Sequence, residues 1–405
     1  MPHAVPPLRP GHHLQLLEGS RELFPALVSA IDAARTEVLL ETYIFDFTGS
    51  GADVAHALER AGRRGVRVRL IVDGAGTPQL PPFWRDRFEQ APVEWVVFSP
   101  VGRFGLLWPG QWRRLHRKLS VIDGAVGFCG GINILDDFHD PNHGPLASPR
   151  FDFSLRVVGP LVQEMRATIV RQWLRIEAVG KLRRAQWSGA LGLLRTATGR
   201  AADPPVPPAA GHANVRAALL LRDNLRHRAI IERAYLRAIG RAHREIIIAN
   251  AYFVPGGRMR RALAGAARRG VRVCLLLQGR YEYFMQYYAA RPVIGALLRA
   301  GVEIHEYAPS FLHAKVAVID GRWATVGSSN LDPLSLLLAR EANVVVDDER
   351  FARRLRARLL HAMVHEGTRM EPAAFEQRPP LQRVKERLAL VVRRVLLVLQ
   401  GKKYL

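Results

Sequence analysis

The sequence predicts an α/β protein made of two homologous domains, each a mixed, mostly parallel sheet flanked by helices. Three observations carry that expectation. A motif is written twice: His116-Arg-Lys118-Leu-Ser-Val-Ile-Asp123, six residues, then Gly130-Gly131-Ile-Asn133, and again His313-Ala-Lys315-Val-Ala-Val-Ile-Asp320, six residues, then Gly327-Ser328-Ser-Asn330. The text around it also repeats. Thr36-Glu-Val-Leu-Leu-Glu41-Thr-Tyr43-Ile-Phe45 matches Arg244-Glu-Ile-Ile-Ile-Ala-Asn250-Ala-Tyr252-Phe253, and Arg63-Arg-Gly65-Val-Arg-Val-Arg-Leu-Ile-Val-Asp73-Gly74 matches Arg268-Arg-Gly270-Val-Arg-Val-Cys-Leu-Leu-Leu-Gln278-Gly279. Finally, short Val/Ile/Leu runs alternate with helical patterns, as buried sheets covered by helices require.

Each half gives the same order of elements. An amphipathic helix (23–34; 229–241) leads to a buried strand, a second helix (52–64; 257–269) to a second buried strand, and the His-Lys strand follows. Gly65 and Gly270 fit helix C-caps before strands. A repeat this long means two related domains rather than a solenoid. The boundaries read as a first domain over 1–200, a linker over 201–216 around Asp203-Pro-Pro-Val-Pro-Pro, a second domain over 217–378 closed by a helix at 351–366, and a basic amphipathic tail over 379–405.

At 405 residues the chain supports two full cores, and an apolar content of 48% excludes a disordered protein. A net charge of +23 favours anionic partners: acidic lipid headgroups, nucleic acid or phosphorylated substrates. The two cysteines, Cys129 and Cys274, lie in apolar runs and read as buried thiols, with no disulfide framework. Neither a signal peptide nor a membrane-spanning run is expected.

His-x-Lys in a strand places both side chains on one face, with Leu119, Val121, Val316 and Val318 on the other. A neutral imidazole can attack phosphorus while a second histidine protonates the leaving oxygen and later deprotonates the incoming hydroxyl. Lys118, Lys315, Asn133 and Asn330 can bind the phosphate's non-bridging oxygens. This chemistry needs no metal or other cofactor. Asp123 and Asp320 complete the motifs, though each also reads as a turn residue before glycine. His12, His13, His139 and His143 have no counterpart in the other half and read as surface residues, not metal ligands.

The two motifs resemble the signature of the phospholipase D superfamily, HxKxxxxD followed by GxxN. Stretches such as Leu40-Glu41-Thr-Tyr43-Ile-Phe45, Ala249-Asn250-Ala-Tyr252-Phe253-Val-Pro255 and Trp323-Ala-Thr-Val-Gly327-Ser-Ser-Asn330-Leu-Asp332-Pro333 narrow the resemblance to bacterial cardiolipin synthases of the short, type B branch. The resemblance implies two phospholipase D-like domains packed as a pseudo-twofold pair, with His116, Lys118, Asp123, His313, Lys315 and Asp320 as catalytic residues. It implies Asp152 and Glu341 as the acids that orient the histidines. It further implies transfer of a phosphatidyl group between two phosphatidylglycerol molecules through a phosphohistidine, with release of glycerol. By family analogy His116 is the nucleophile and His313 the acid and base, although the residues themselves do not decide. The stretch Tyr281-Glu-Tyr-Phe-Met-Gln-Tyr-Tyr288 and the insertion over 182–211 depart from the type B pattern.

Partners expected on this reading are phosphatidylglycerol and other anionic phospholipids, met by peripheral association at the cytoplasmic face of the bacterial cell membrane. The tail places Leu381, Val384, Leu388, Val391, Val395 and Val398 at helical spacing, flanked by arginines and lysines, as in an interfacial helix. Docking of that helix on the protein is its rival. The Trp108 and Trp112 loop and the Trp187 segment are further membrane candidates. The competing functions are a lipid hydrolase with water as acceptor and a nucleic-acid phosphodiesterase. Apolar and Trp-bearing segments favour lipid, so no nucleic acid is expected.

Overall fold

The computed structural model describes residues 5–102, 113–141, 143–183, 186–198, 214–223, 227–280, 284–332 and 339–377, together with Pro379, Lys385, Leu388 and Val391. The Trp108 loop and residues 201–213 of the expected linker lie outside these. So does most of the tail.

The chain opens with β1 (Arg9–Glu18), α1 (Gly19–Asp32), β2 (Glu37–Thr42), α2 (Gly49–Arg63), β3 (Arg67–Asp73), α3 (Pro82–Gln90) and β4 (Val93–Phe98). The first motif falls among β5 (Arg114–Leu115), β6 (Leu119–Ile122) and β7 (Val126–Gly130). A small hairpin, β8 (His139–Asp140) and β9 (Gly144–Pro145), precedes β10 (Phe153–Val158), α4 (Leu161–Arg183) and α5 (Trp187–Thr198). The second half runs through β11 (Val215–Arg222), α6 (Ile230–Gly240), β12 (Glu245–Asn250), α7 (Gly257–Arg268), β13 (Arg272–Gln278), α8 (Phe284–Leu298) and β14 (Glu303–Tyr307). It ends with β15 (Lys315–Ile319), β16 (Trp323–Gly327), β17 (Ala339–Asp347), α9 (Glu349–His361), β18 (Gly367–Arg369) and α10 (Pro372–Glu376). The helix expected over 351–366 closes at His361, and a single wide π turn, Ala362–Glu366, carries the chain into β18.

Two compact units result. One holds Arg9–Asp136 and Ser154–Leu219; the other holds Met1–Leu8, Asp137–Phe153 and Leu220–Leu405. We call them the His116 unit and the His313 unit. The hairpin segment Asp137–Phe153 thus belongs with the second motif, not the first. Strand β11 begins at Val215, so the linker expectation ends there and its last two residues are strand.

In the His116 unit the sheet runs β10-β7-β6-β2-β3-β4. The ladders β2–β3 and β3–β4 are parallel, and β2–β6, β6–β7 and β10–β7 are antiparallel. The His313 unit repeats this with β12–β13 and β13–β14 parallel, and with β12–β15, β15–β16 and β16–β17 antiparallel. The sheets are mixed, with a smaller parallel share than the sequence pattern suggests. After each motif the chain turns back through Asp-Gly or Asp-Gly-Arg, which allows an antiparallel neighbour where a parallel one needs a helical crossover. Those two aspartates have φ of 50° and 52°, the left-handed region that Asp tolerates.

Side chains alternate across each sheet. Val38, Leu40, Val68, Leu70 and Val72 join the core under α1, α2 and α3, while α4 packs on β2, β6 and β7 from the other face. In the second unit Ile246, Ile248, Val273, Leu275, Ala317 and Ile319 join the core under α6, α7 and α8, and α9 covers the reverse face. Gly65 and Gly270 cap α2 and α7 at φ of 82° and 83°. Cys129 and Cys274 are buried free thiols. No described helix is long and apolar enough to cross a membrane.

One histidine departs from the surface reading. His13, His139 and His143 are exposed, but His12 on β1 is fully buried. Gly159 makes room for it: a Cβ there would lie 2.4 Å from the Gly11 carbonyl oxygen and 3.0 Å from His12 Nδ1. Burial pushes the His12 pKa down to about 4, so the ring is neutral in the fold. A depressed pKa contributes stability above the unfolded value of 6.5 that is lost as pH falls through about 4. Denaturant melts between pH 7 and pH 4 should therefore show a loss of stability that is smaller in His12→Gln. An equal loss in that variant would place the titration elsewhere.

Candidate active site

Both motif histidines sit just before a strand, not within one: β6 starts at Leu119 and β15 at Lys315. The expectation of an unbroken His-Lys strand is corrected to that extent. The histidine must leave the ladder to present its ring, whereas Leu119, Val121, Val316 and Val318 are buried behind it as expected.

In the His116 unit, Lys118 is nearly buried and its Nζ donates to the His116 carbonyl oxygen at 2.9 Å. The Tyr43 ring lies 5.2 Å from the His116 ring, and Lys118 Nζ lies 5.5 Å from the Tyr43 centroid. Such a cation–π contact contributes about 0.5–2 kcal/mol depending on desolvation. Asn133 Oδ1 accepts from Ile44 N at 3.2 Å. Tyr43 stands outside both His-Lys motifs, within the repeated stretch and the family-like stretch that holds Glu41 and Phe45.

The His313 unit copies the lysine arrangement, with Lys315 Nζ donating to the His313 carbonyl and the side chain fully buried. Asn330 is buried and its Oδ1 accepts no hydrogen bond among the described residues. Here Asp152 meets His313: Oδ2 lies 2.6 Å from Nδ1, and Oδ1 accepts from Phe153 N at 2.8 Å. An ionised carboxylate only accepts, so Nδ1 carries the proton and Nε2 is left to react. The hairpin segment is held for this purpose by its backbone. Phe151 N donates to the Phe311 carbonyl at 3.0 Å, and His313 N and Ala314 N both donate to the Phe151 carbonyl, at 2.9 and 3.0 Å.

Glu341 is fully buried on β17, where the Ser328 hydroxyl donates to it and Arg222 Nη2 lies 4.0 Å away. Asn343 fills the space that a side chain at Gly327 would need, which explains the glycine opening the second Gly-Ser-Ser-Asn stretch.

Asp123 and Asp320 stand at the far ends of their strands, about 20 Å of extended chain from the histidines. Asp123 accepts from the main-chain N–H groups of Arg35, Thr36 and Glu37 at 2.8–2.9 Å. Asp320 accepts from those of His243, Arg244 and Glu245 at 2.9–3.0 Å. Burial alone would raise both pKa values, but the main-chain donors overcome it and hold both carboxyls below their ordinary range. Next to each sits a matched acid. Glu37 pairs with Arg166 and Arg67, and Glu245 pairs with Arg356.

The fold and these two His-Lys-Asn arrangements define a duplicated protein of the phospholipase D type. A solved phosphatidylserine synthase from Haemophilus influenzae shares the fold, with a TM-score of 0.69 at 10% identity over 97% of this chain and 96% of its own. The family model described as "Cardiolipin synthase, PLD-like domain" matches residues 27–143 and 235–363, more than half of the chain. The chain belongs to this cardiolipin synthase family. It is similar to cardiolipin synthase B of Shigella flexneri and of Escherichia coli, each 38% identical over 87% of this chain and 80% of the relative. A probable cardiolipin synthase of Bacillus subtilis is 30% identical over 93% of this chain and 71% of its own.

Losing the Asp320 carboxylate should leave three main-chain donors without an acceptor. Asp320→Ala is expected to destabilise the protein by about 2–3 kcal/mol, and Asp320→Asn by less, since it keeps one oxygen and tolerates the positive φ. Urea unfolding of the two variants checks this; equal losses would mean that the hydrogen bonds do not carry the effect.

Proposed function

We propose that this chain is a phosphatidyltransferase that makes cardiolipin, moving the phosphatidyl group of one phosphatidylglycerol to the hydroxyl of another with release of glycerol. The Asp152–His313 pair is the observation that supports the chemistry best, in a chain whose relatives at 38% identity are named cardiolipin synthases. The two histidines serve one phosphate. An imidazole nitrogen of His116 attacks phosphorus, the bond to the glycerol oxygen breaks, and His313, which starts as the imidazolium with its Nδ1–H on Asp152, gives its Nε2 proton to that oxygen. The second phosphatidylglycerol then enters. His313 takes back a proton from its hydroxyl, the oxygen attacks phosphorus, the P–N bond breaks, and both histidines return to their starting states. Asp152 stabilises the imidazolium form of His313. Lys118, Lys315, Asn133 and Asn330 hold the non-bridging oxygens while charge develops. Asp123 and Asp320 act at a distance, by fixing the turn that sets each motif strand in place.

The site meets its substrate by peripheral association with anionic lipid at the cytoplasmic face of the membrane, through the basic tail over 379–405. Lys385, Leu388 and Val391 are exposed, the latter two at 61% and 51%. Removing 381–405 should reduce co-sedimentation with phosphatidylglycerol vesicles at low and high salt, since the apolar contribution is not screened. Unchanged binding would move the contact to the Trp108 loop or the Trp187 segment.

Two further outcomes test the chemistry. His116→Ala and His313→Ala should each abolish turnover, with the double variant little worse, because groups that act as a unit are not additive. Substantial activity in either single variant breaks the shared-phosphate reading. Purified enzyme given labelled phosphatidylglycerol should yield cardiolipin in the presence of EDTA, and added glycerol should drive the products back. Phosphatidic acid as the main product at every glycerol concentration would assign the chain as a hydrolase instead.

A further inference from the structure

We infer that Asp73 and Gln278 are positioning residues for His116 and His313, each fixing the main chain at the residue before the histidine. The inference rests on the reading of the two histidines as the reacting groups. Asp73 ends β3 and Gln278 ends β13, so they occupy the same place in the repeat. Asp73 Oδ2 accepts from Leu115 N at 2.7 Å. Gln278 Oε1 accepts from Leu312 N at 2.8 Å. Leu115 and Leu312 directly precede His116 and His313, and both are buried.

The clamp is built the same way twice. The glycine after each clamp residue donates to the end of the next strand, Gly74 N to the Phe98 carbonyl at 2.8 Å and Gly279 N to the Tyr307 carbonyl at 3.0 Å. A Cβ at Gly74 would lie 2.8 Å from the Ser99 oxygen, and one at Gly279 2.7 Å from the Tyr307 oxygen. The strand end that carries the acceptor is therefore locked against its neighbour. Asp73 is held further by Ala75 N at 2.8 Å and Arg114 Nη1 at 3.3 Å.

The geometry is kept while the chemistry of the acceptor changes from carboxylate to amide. What the site requires is an oxygen at that point, not a charge. The reason lies in leverage. Leu115 and Leu312 stand where the chain leaves the ladder to present the imidazole, so a turn of roughly 10° about that residue would carry the ring about 1 Å, enough to cost about 100-fold in rate. The amide nitrogen of Gln278 makes no hydrogen bond among the described residues, so a carboxylate can replace it without losing a donor.

Gln278 gives the cleaner test, because Asp73 is fully buried and its apolar variants risk misfolding. Steady-state kinetics of full-length Gln278→Leu on phosphatidylglycerol vesicles should show kcat lowered about 100-fold with KM within about threefold. Gln278→Glu, which keeps the oxygen, should recover most of that loss, and Asp73→Asn should resemble it. Thermal midpoints are measured in parallel, with Gln278→Met replacing Gln278→Leu should the latter not fold. A kcat within threefold of the parent in the apolar variant, or an equal fall in Gln278→Glu, overturns the inference. His313→Ala is the control. Activity surviving in it defeats the catalytic reading itself, whereas a dead His313→Ala beside an active Gln278→Leu defeats only the positioning role.

Discussion

The hydrogen bond between Asp152 and His313 sets conditions on much of the His313 unit. A carboxylate 2.6 Å from Nδ1 fixes the tautomer of the ring and supports its positive charge. To supply that carboxylate, the chain must carry residues 137–153 out of the His116 unit and pack them beside a motif far along the sequence. Phe151 makes this possible. Its backbone bonds on both sides to the Phe311–Ala314 segment, and its ring stacks on Tyr307 with the Arg358 guanidinium 4.5 Å from its centroid. An aspartate next to such an anchor has little freedom left to lose, so its contact with the histidine costs little further entropy.

Placing cations in this interior requires preorganisation. Lys315 is fully buried and Lys118 nearly so, and an isolated ammonium in such a place would be strongly disfavoured. Each Nζ donates to the carbonyl of its own motif histidine. That contact ties the position of the charge to the backbone that carries the imidazole, so ring and ammonium move together. The motif aspartates do the same work at the other end of each strand, where a single carboxylate gathers three main-chain donors. The sheet between the two ends is then a rigid ruler that fixes where each imidazole and ammonium stand.

Much of this is legible in the sequence because it is written twice. The mixed sheets, the glycine caps at Gly65 and Gly270 and the buried valines behind each motif follow from hydrophobic period and turn chemistry. The acids Asp152 and Glu341 are found only through family resemblance, because nothing local to Phe151-Asp152-Phe153 tells which histidine it will face. Asp73 and Gln278 stand in matching positions of the repeat, yet an Asp and a Gln share no pattern that a motif search would join; only the hydrogen bonds to Leu115 and Leu312 reveal a common task. His12 misleads for another reason. A histidine in a polar-looking strand reads as exposed, and the space that buries it is made by a glycine remote in sequence, Gly159.

The repeat also shows which parts of the site the scaffold leaves open to change. In register with the strand that precedes each motif, Glu41 faces Leu119 as Ala249 faces Val316. The residue between His and Lys is Arg117 in the first motif and Ala314 in the second. Glu41 and Arg117 form a buried ion pair at 2.7 Å, with the Glu41 side chain wholly inaccessible. In the second copy both positions are alanine. Replacing one member of a buried pair strands the other's charge, while replacing both with apolar groups is often neutral or better. The two halves differ in the way that rule allows: both partners changed, neither left alone. The first motif is thus set on a charged foundation, where burial, aided by the Glu41 charge, pushes the nearby Cys129 thiol up to about 12, and the second on an apolar one. Since the lysine-to-carbonyl contact is the same on both, it does not depend on the ion pair. The pair belongs to the interior of one half, and the geometry common to both halves resides in the backbone and the residues that pin it.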